Sequence, residues 1–115
     1  MASKTIEFPK KIVNHYITNL KNKIDVKGVL LFGSFAYGKP TKHSDVDLIV
    51  VSPNFYRKGF ENRWDTLYGV RDKTTYKIAM DIIGYTPREF NNLEKYSAIG
   101  AIAKKKGRWI YKAKK

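Results

Sequence analysis

Apolar residues recur along the chain in two rhythms, and the switches between them divide it into elements. Near the start, Phe8, Ile12, Val13, Tyr16, Ile17 and Leu20 stand at helical spacing, with Pro9 where a first-turn proline is tolerated, and this predicts an amphipathic helix. From Val26 to Phe32 the run is short, apolar and stopped by Gly33, the form of a buried strand delivered into a tight turn. Residues 33 to 44 read as a loop with room for one helical turn. Val46, Asp47, Leu48, Ile49, Val50 and Val51 are dense in β-branched side chains and predict a second central strand ending near Ser52 and Pro53. Phe60, Trp64, Leu67 and Tyr68 fall at i, i+4, i+7 and i+8, which predicts a helix over about 58 to 71 laid on one sheet face.

A third strand is expected over about 76 to 84, carrying Ile78, Met80, Ile82 and Ile83. Thr86-Pro87-Arg88-Glu89 has the form of a capping box with proline at the first helical position, and Gly107 after three lysines is a stop. Together they predict one long last helix, bent or frayed at Gly100, where glycine costs roughly 1 kcal/mol relative to alanine. Arg108 to Lys112 then suits a short edge strand. The order implies an α/β (α+β) fold: a small mixed β-sheet flanked by helices, in one domain over 1–115.

Composition narrows the chemistry. The formal charge of +13, from 23 Lys and Arg against 10 Asp and Glu, favours polyanions, acidic proteins or triphosphates without choosing among them. Much of the excess lies in Lys104, Lys105, Lys106, Lys112, Lys114 and Lys115, for which a solvated basic tail is the plainer reading. The absence of cysteine removes disulfides, thiolate nucleophiles and thiolate zinc sites. No apolar run approaches a membrane span and no apolar signal core is visible, so the cytoplasm is the expected location and no membrane partner is expected.

Two segments carry the candidate chemistry, Gly33-Ser34 and Ser44-Asp45-Val46-Asp47. Side chains alternate along a strand, so Asp45 and Asp47 point the same way. Like charges so placed are stable only with cations between them, and hard oxygen ligands suit magnesium or manganese. Asp81 interrupts the apolar run from Ile78 to Ile83, and a carboxylate in a buried strand is costly unless ligated or paired. If its strand lies beside that of Asp45 and Asp47, three carboxylates converge on a two-metal site for phosphoryl or nucleotidyl transfer. Gly33 lets backbone amides approach a phosphate, and the Ser34 hydroxyl adds a donor. Lys39 and Lys42 are near enough in sequence to assist.

Gly33-Ser34, ten residues, then Asp45-Val46-Asp47 resembles the hallmark of the minimal nucleotidyltransferases of the polymerase-beta-like superfamily. The resemblance continues through the following strand, Asp81, and the helix start at Thr86-Pro87-Arg88-Glu89-Phe90. It implies ATP or another nucleoside triphosphate as donor, with Gly33 and Ser34 gripping the triphosphate and Lys42 and Ser44 as further nucleotide contacts. Asp45 and Asp47 would hold both metals, Mg2+ or alternatively Mn2+, and Asp81 would ligate one while favouring deprotonation of the attacking hydroxyl. Tyr37 stands where many members have arginine. Family members of this size pair with a separately encoded helical HEPN-type protein, as antitoxins that nucleotidylate a toxin with RNase activity, so an acceptor hydroxyl on such a partner is the first expectation.

Three alternatives stay open: a small-molecule acceptor, as in aminoglycoside-modifying relatives; a module that binds a partner or nucleic acid through its basic surface without turnover; and an enzyme extending nucleic-acid ends. His15 reads as structural, His43 as a loop residue, and Trp64 and Trp109 as core or interface anchors. Ser44 reads as the residue that closes the turn before Asp45. Oligomeric state is left open.

Overall fold

The computed structural model describes residues 6–114. α1 (Lys10–Lys21) precedes β1 (Gly28–Phe32), and a short α2 (Ser34–Tyr37) occupies the loop before β2 (Val46–Val51). α3 (Phe60–Gly69) leads to β3 (Met80–Tyr85), followed by α4 (Pro87–Asn91), α5 (Ala98–Lys106) and β4 (Arg108–Lys112). The strands lie in the order β3-β2-β1-β4, with β1 antiparallel to both β2 and β4 and β2 parallel to β3. The two strands predicted to be central are central, and each is buried along almost its whole length.

Alternation along β1 and β2 sends their side chains into two apolar layers. On one face Val29, Leu31, Leu48 and Val50 pack with Val13, Tyr16, Ile17 and Leu20 of α1 and with Leu67 of α3. The fully buried Tyr16 hydroxyl donates to the Leu67 carbonyl oxygen at 2.6 Å, fastening α1 to the end of α3. On the other face Leu30, Phe32, Ile49 and Val51 meet Phe90, Leu93 and Ala103. Each fully buried aliphatic side chain contributes about 1.5–3 kcal/mol relative to exposure, so both layers are needed to hold the sheet between them.

Three expectations are revised. The last helix is two helices: α4 ends at Asn91, and after a 3-10 turn Ser97 starts α5 by accepting the Gly100 amide at 2.9 Å. The break therefore falls ahead of Gly100, where a β-carbon would come within 2.5 Å of Leu93 Cγ; the glycine permits close packing of α5 on the turn. The third strand starts at Met80, because Thr75–Lys77 form a 3-10 turn. Arg71 holds that turn by donating to the carbonyls of Thr75 and Ile78, both at 2.6 Å.

The stripe on α3 also differs from its predicted form. Leu67 and Arg63 face inward, while Phe60 and Trp64 are 63% and 58% exposed. Arg63 is inside because every direction it faces offers an acceptor: Lys58 O at 2.8 Å, Gly84 O at 3.1 Å, and the Glu89 carboxylate in a two-pronged contact at 2.6 and 3.1 Å. Glu89 meanwhile accepts the Thr86 amide in the capping box that starts α4. Tyr68 complements Arg63, its hydroxyl accepting the Ile82 amide at 2.9 Å and donating to Met80 O. Together they satisfy outward backbone groups of edge strand β3.

Arg63→Ala would leave Glu89 without its counter-charge and two backbone carbonyls without a donor. The expected cost is about 3 kcal/mol, seen as a fall of roughly 10 °C or more in the thermal midpoint, whereas Arg63→Lys recovers part of the loss.

Candidate active site

The strand register gathers the candidate residues at one end of the sheet. Phe32, the last residue of β1, lies opposite Asp47, and Asp47 lies beside Asp81 in the parallel pair. Gly33 and Ser34 follow Phe32 directly, and Asp45 immediately precedes β2. All five therefore stand where β1 ends and β2 and β3 begin.

Gly33 is the tightest point. Its φ is +70°, a left-handed value that glycine adopts without strain, and the space a β-carbon would fill is taken by the Asp47 carboxylate. The turn thereby presses the Asp47 side chain against the backbone that starts α2. The Gly33 carbonyl accepts the amides of Ala36 and Tyr37, both at 3.0 Å, which closes α2 into one turn.

Asp47 is half-buried, and its pKa is raised to about 6 from 3.8 by burial first, and then by the charges of Asp81 and Asp45. The three carboxylates thus share one electrostatic neighbourhood. Asp45 and Asp81 are both exposed. That corrects the expectation for Asp81: β3 is an edge strand, so its side chain escapes to solvent and pays no burial cost. Among the described residues no three His, Asp or Glu side chains converge on one ion position. The set is nevertheless chemically suited to a hard divalent cation, being all carboxylate oxygen with its repulsion concentrated on Asp47.

Lys42 and Ser44 lie in the loop that leads into Asp45. They line a cleft of about 390 Å³ with Phe35, Thr41 and Lys77, and none of the three carboxylates lines it. The Ser44 hydroxyl accepts the Thr41 amide at 2.8 Å, closing the turn before Asp45 as its spacing suggests. Lys77, on the 3-10 turn before β3, is a cation that the sequence did not single out beside Lys42. Arg108 on β4 is another, its guanidinium 3.5 Å from the Phe35 carbonyl of α2. His43 is exposed, and His15 holds Asp72 at 2.7 Å away from the site.

Because its folded pKa lies above its unfolded value, Asp47 favours folding most at low pH. That contribution is lost as pH rises from about 4 through about 6. In metal-free buffer at pH 7, Asp47→Asn is therefore expected to stabilise the fold by about 1 kcal/mol after allowance for solvent screening. Chemical denaturation at pH 7 and pH 4 checks it, the gain vanishing at the lower pH.

Comparison with known proteins agrees with this geometry. Two candidate protein adenylyltransferases of Methanocaldococcus jannaschii are 43% and 36% identical to the chain, each over 47 residues. Those stretches are 41% of this chain and 47% and 48% of the relatives, so the match spans about half of each curated relative's length. The crystal structure of a candidate nucleotidyltransferase of Sulfolobus solfataricus shares the fold, with a TM-score of 0.65 at 16% identity over 89% of this chain and 78% of that one. A model of the nucleotidyltransferase domain matches residues 13–110, spanning both Gly33-Ser34 and the three carboxylates. The chain belongs to the nucleotidyltransferase domain family.

Proposed function

We propose that the protein transfers a nucleoside monophosphate, AMP from ATP in the first instance, to a hydroxyl on a partner protein. The observation that supports this reading best is the packing of the Asp47 carboxylate against Gly33, with Asp81 in register beside it. It sets the triphosphate-binding turn and the acidic cluster against each other, and a metal-dependent transfer needs that proximity. The names of the Methanocaldococcus relatives add weight to adenylyl transfer and to a protein acceptor.

In this reading the backbone at Gly33 and the Ser34 hydroxyl bind the triphosphate and fix its α-phosphorus. Asp45 and Asp47 hold the divalent cation, and Asp81 accepts the proton of the attacking hydroxyl from the open side of β3. Magnesium or manganese, when bound, offsets charge on the departing pyrophosphate and lowers the pKa of the acceptor. The acceptor oxygen bonds to the α-phosphorus as the bond to pyrophosphate breaks. A helical HEPN-type toxin is the acceptor the family resemblance favours, with the chain acting as its antitoxin.

The test is to incubate the chain, alone and with a co-purifying partner protein, with magnesium and each nucleoside triphosphate in turn. A nucleotide mass adduct on the partner, with release of pyrophosphate, is the expected result. Asp45→Asn should lower the rate about a hundredfold or more, since the metal contributes several kcal/mol, and Asp81→Asn should do so by about a hundredfold through loss of the proton acceptor. Unaltered neutralisation of the partner by Asp45→Asn, with no adduct from the wild type, would instead establish a binding module.

A further inference from the structure

A second cleft lies at the other end of the parallel strands. It has a volume of about 720 Å³ and opens between the 3-10 turn after β2 and the start of α4. Carboxyl ends of parallel strands are where open α/β sheets commonly receive ligands, and the carboxylate cluster at the amino ends takes no part in this cleft.

Its charge is positive. Arg63 and Glu89 in its wall neutralise each other, which leaves Arg57 and Arg88, both exposed and neither paired with a carboxylate among the described residues. Arg57 has a left-handed backbone, φ +63°, a conformation costly for a residue with a β-carbon. Its guanidinium stands 5.5 Å from the ring centre of Tyr56. Tyr56 and Tyr96 also line the cleft, and their exposure of 68% and 81% leaves the Tyr96 ring and the face of Tyr56 away from Arg57 open to solvent. Beyond Tyr96 a smaller groove of about 340 Å³ continues past Phe60 and Tyr85, extending the surface beyond the first cleft.

We propose that this cleft binds single-stranded nucleic acid, with phosphates on Arg57 and Arg88 and bases stacked on Tyr56 and Tyr96. Arginine supplies the charge that a phosphodiester seeks, and an uncovered tyrosine supplies the flat face that any base accepts, so binding is strong in salt dependence and weak in sequence preference. An acidic peptide would satisfy the arginines and leave both rings without partners. The formal charge of +13 brings a polyanion to the surface, and the cleft retains it. This site stands independently of the transfer reaction.

The test measures anisotropy of a fluorescein-labelled oligouridylate of about twelve nucleotides against the full chain, between about 50 and 200 mM salt. Binding that weakens with salt is expected. Arg57→Asn with Arg88→Gln should weaken it about tenfold or more and flatten the slope of log Kd on log salt by about 1.4, at about 0.7 for each phosphate no longer neutralised. Asparagine suits the left-handed backbone at position 57, so the fold is retained. Tyr56→Ala with Tyr96→Ala should also weaken binding about thirtyfold or more while leaving the slope unchanged. The proposal is overturned by any of four results: no binding by the wild type; arginine variants that bind like wild type; loss confined to Lys104→Gln, Lys105→Gln and Lys106→Gln; or equal occupancy of the cleft by polyglutamate or free AMP.

Discussion

The register of the three strands on one side of the sheet is the constraint on which everything else depends. Antiparallel pairing sets Phe32 against Asp47, and parallel pairing sets Asp47 against Asp81. A slip of one residue in either pair would turn the carboxylates to the opposite face and strip both apolar layers of their matching rows. Core packing and site assembly are consequently one requirement. The residues that bury Leu48 and Val50 on one side and Ile49 and Val51 on the other also determine where the acids stand.

That requirement explains which parts of the fold could be read from the sequence. β1 and β2 are apolar runs bounded by glycine and serine, and burial on both faces leaves such runs no other use. Gly33-Ser34 and Asp45-Val46-Asp47 were legible for the same reason, since each breaks an otherwise apolar stretch at its end. Thr86 and Glu89 were legible because a capping box is a local device, complete within four residues.

What escaped was decided by partners distant in sequence. Nothing near Arg63 announces that Glu89, 26 residues later, will neutralise it and draw it inside while Phe60 and Trp64 turn outward. Ser97 was hidden within a run that has helical spacing, and its role as a cap shows only once Phe90, Leu93 and Ala103 converge on one cluster. Asp81 looked buried because its neighbours are apolar. Whether such a strand is central or peripheral depends on the strand order, and β4 takes the opposite edge.

The sealing of β3 bears on how another macromolecule can approach. A bare edge strand recruits extended peptides by adding them to the sheet, and it recruits other copies of itself just as readily. Here the Tyr68 hydroxyl and the Arg63 guanidinium occupy backbone positions that an incoming strand would need at Met80, Ile82 and Gly84. A visitor beside Asp81 must therefore be recognised through side chains and shape. The acidic end of the sheet stays accessible without becoming a template for fibrils.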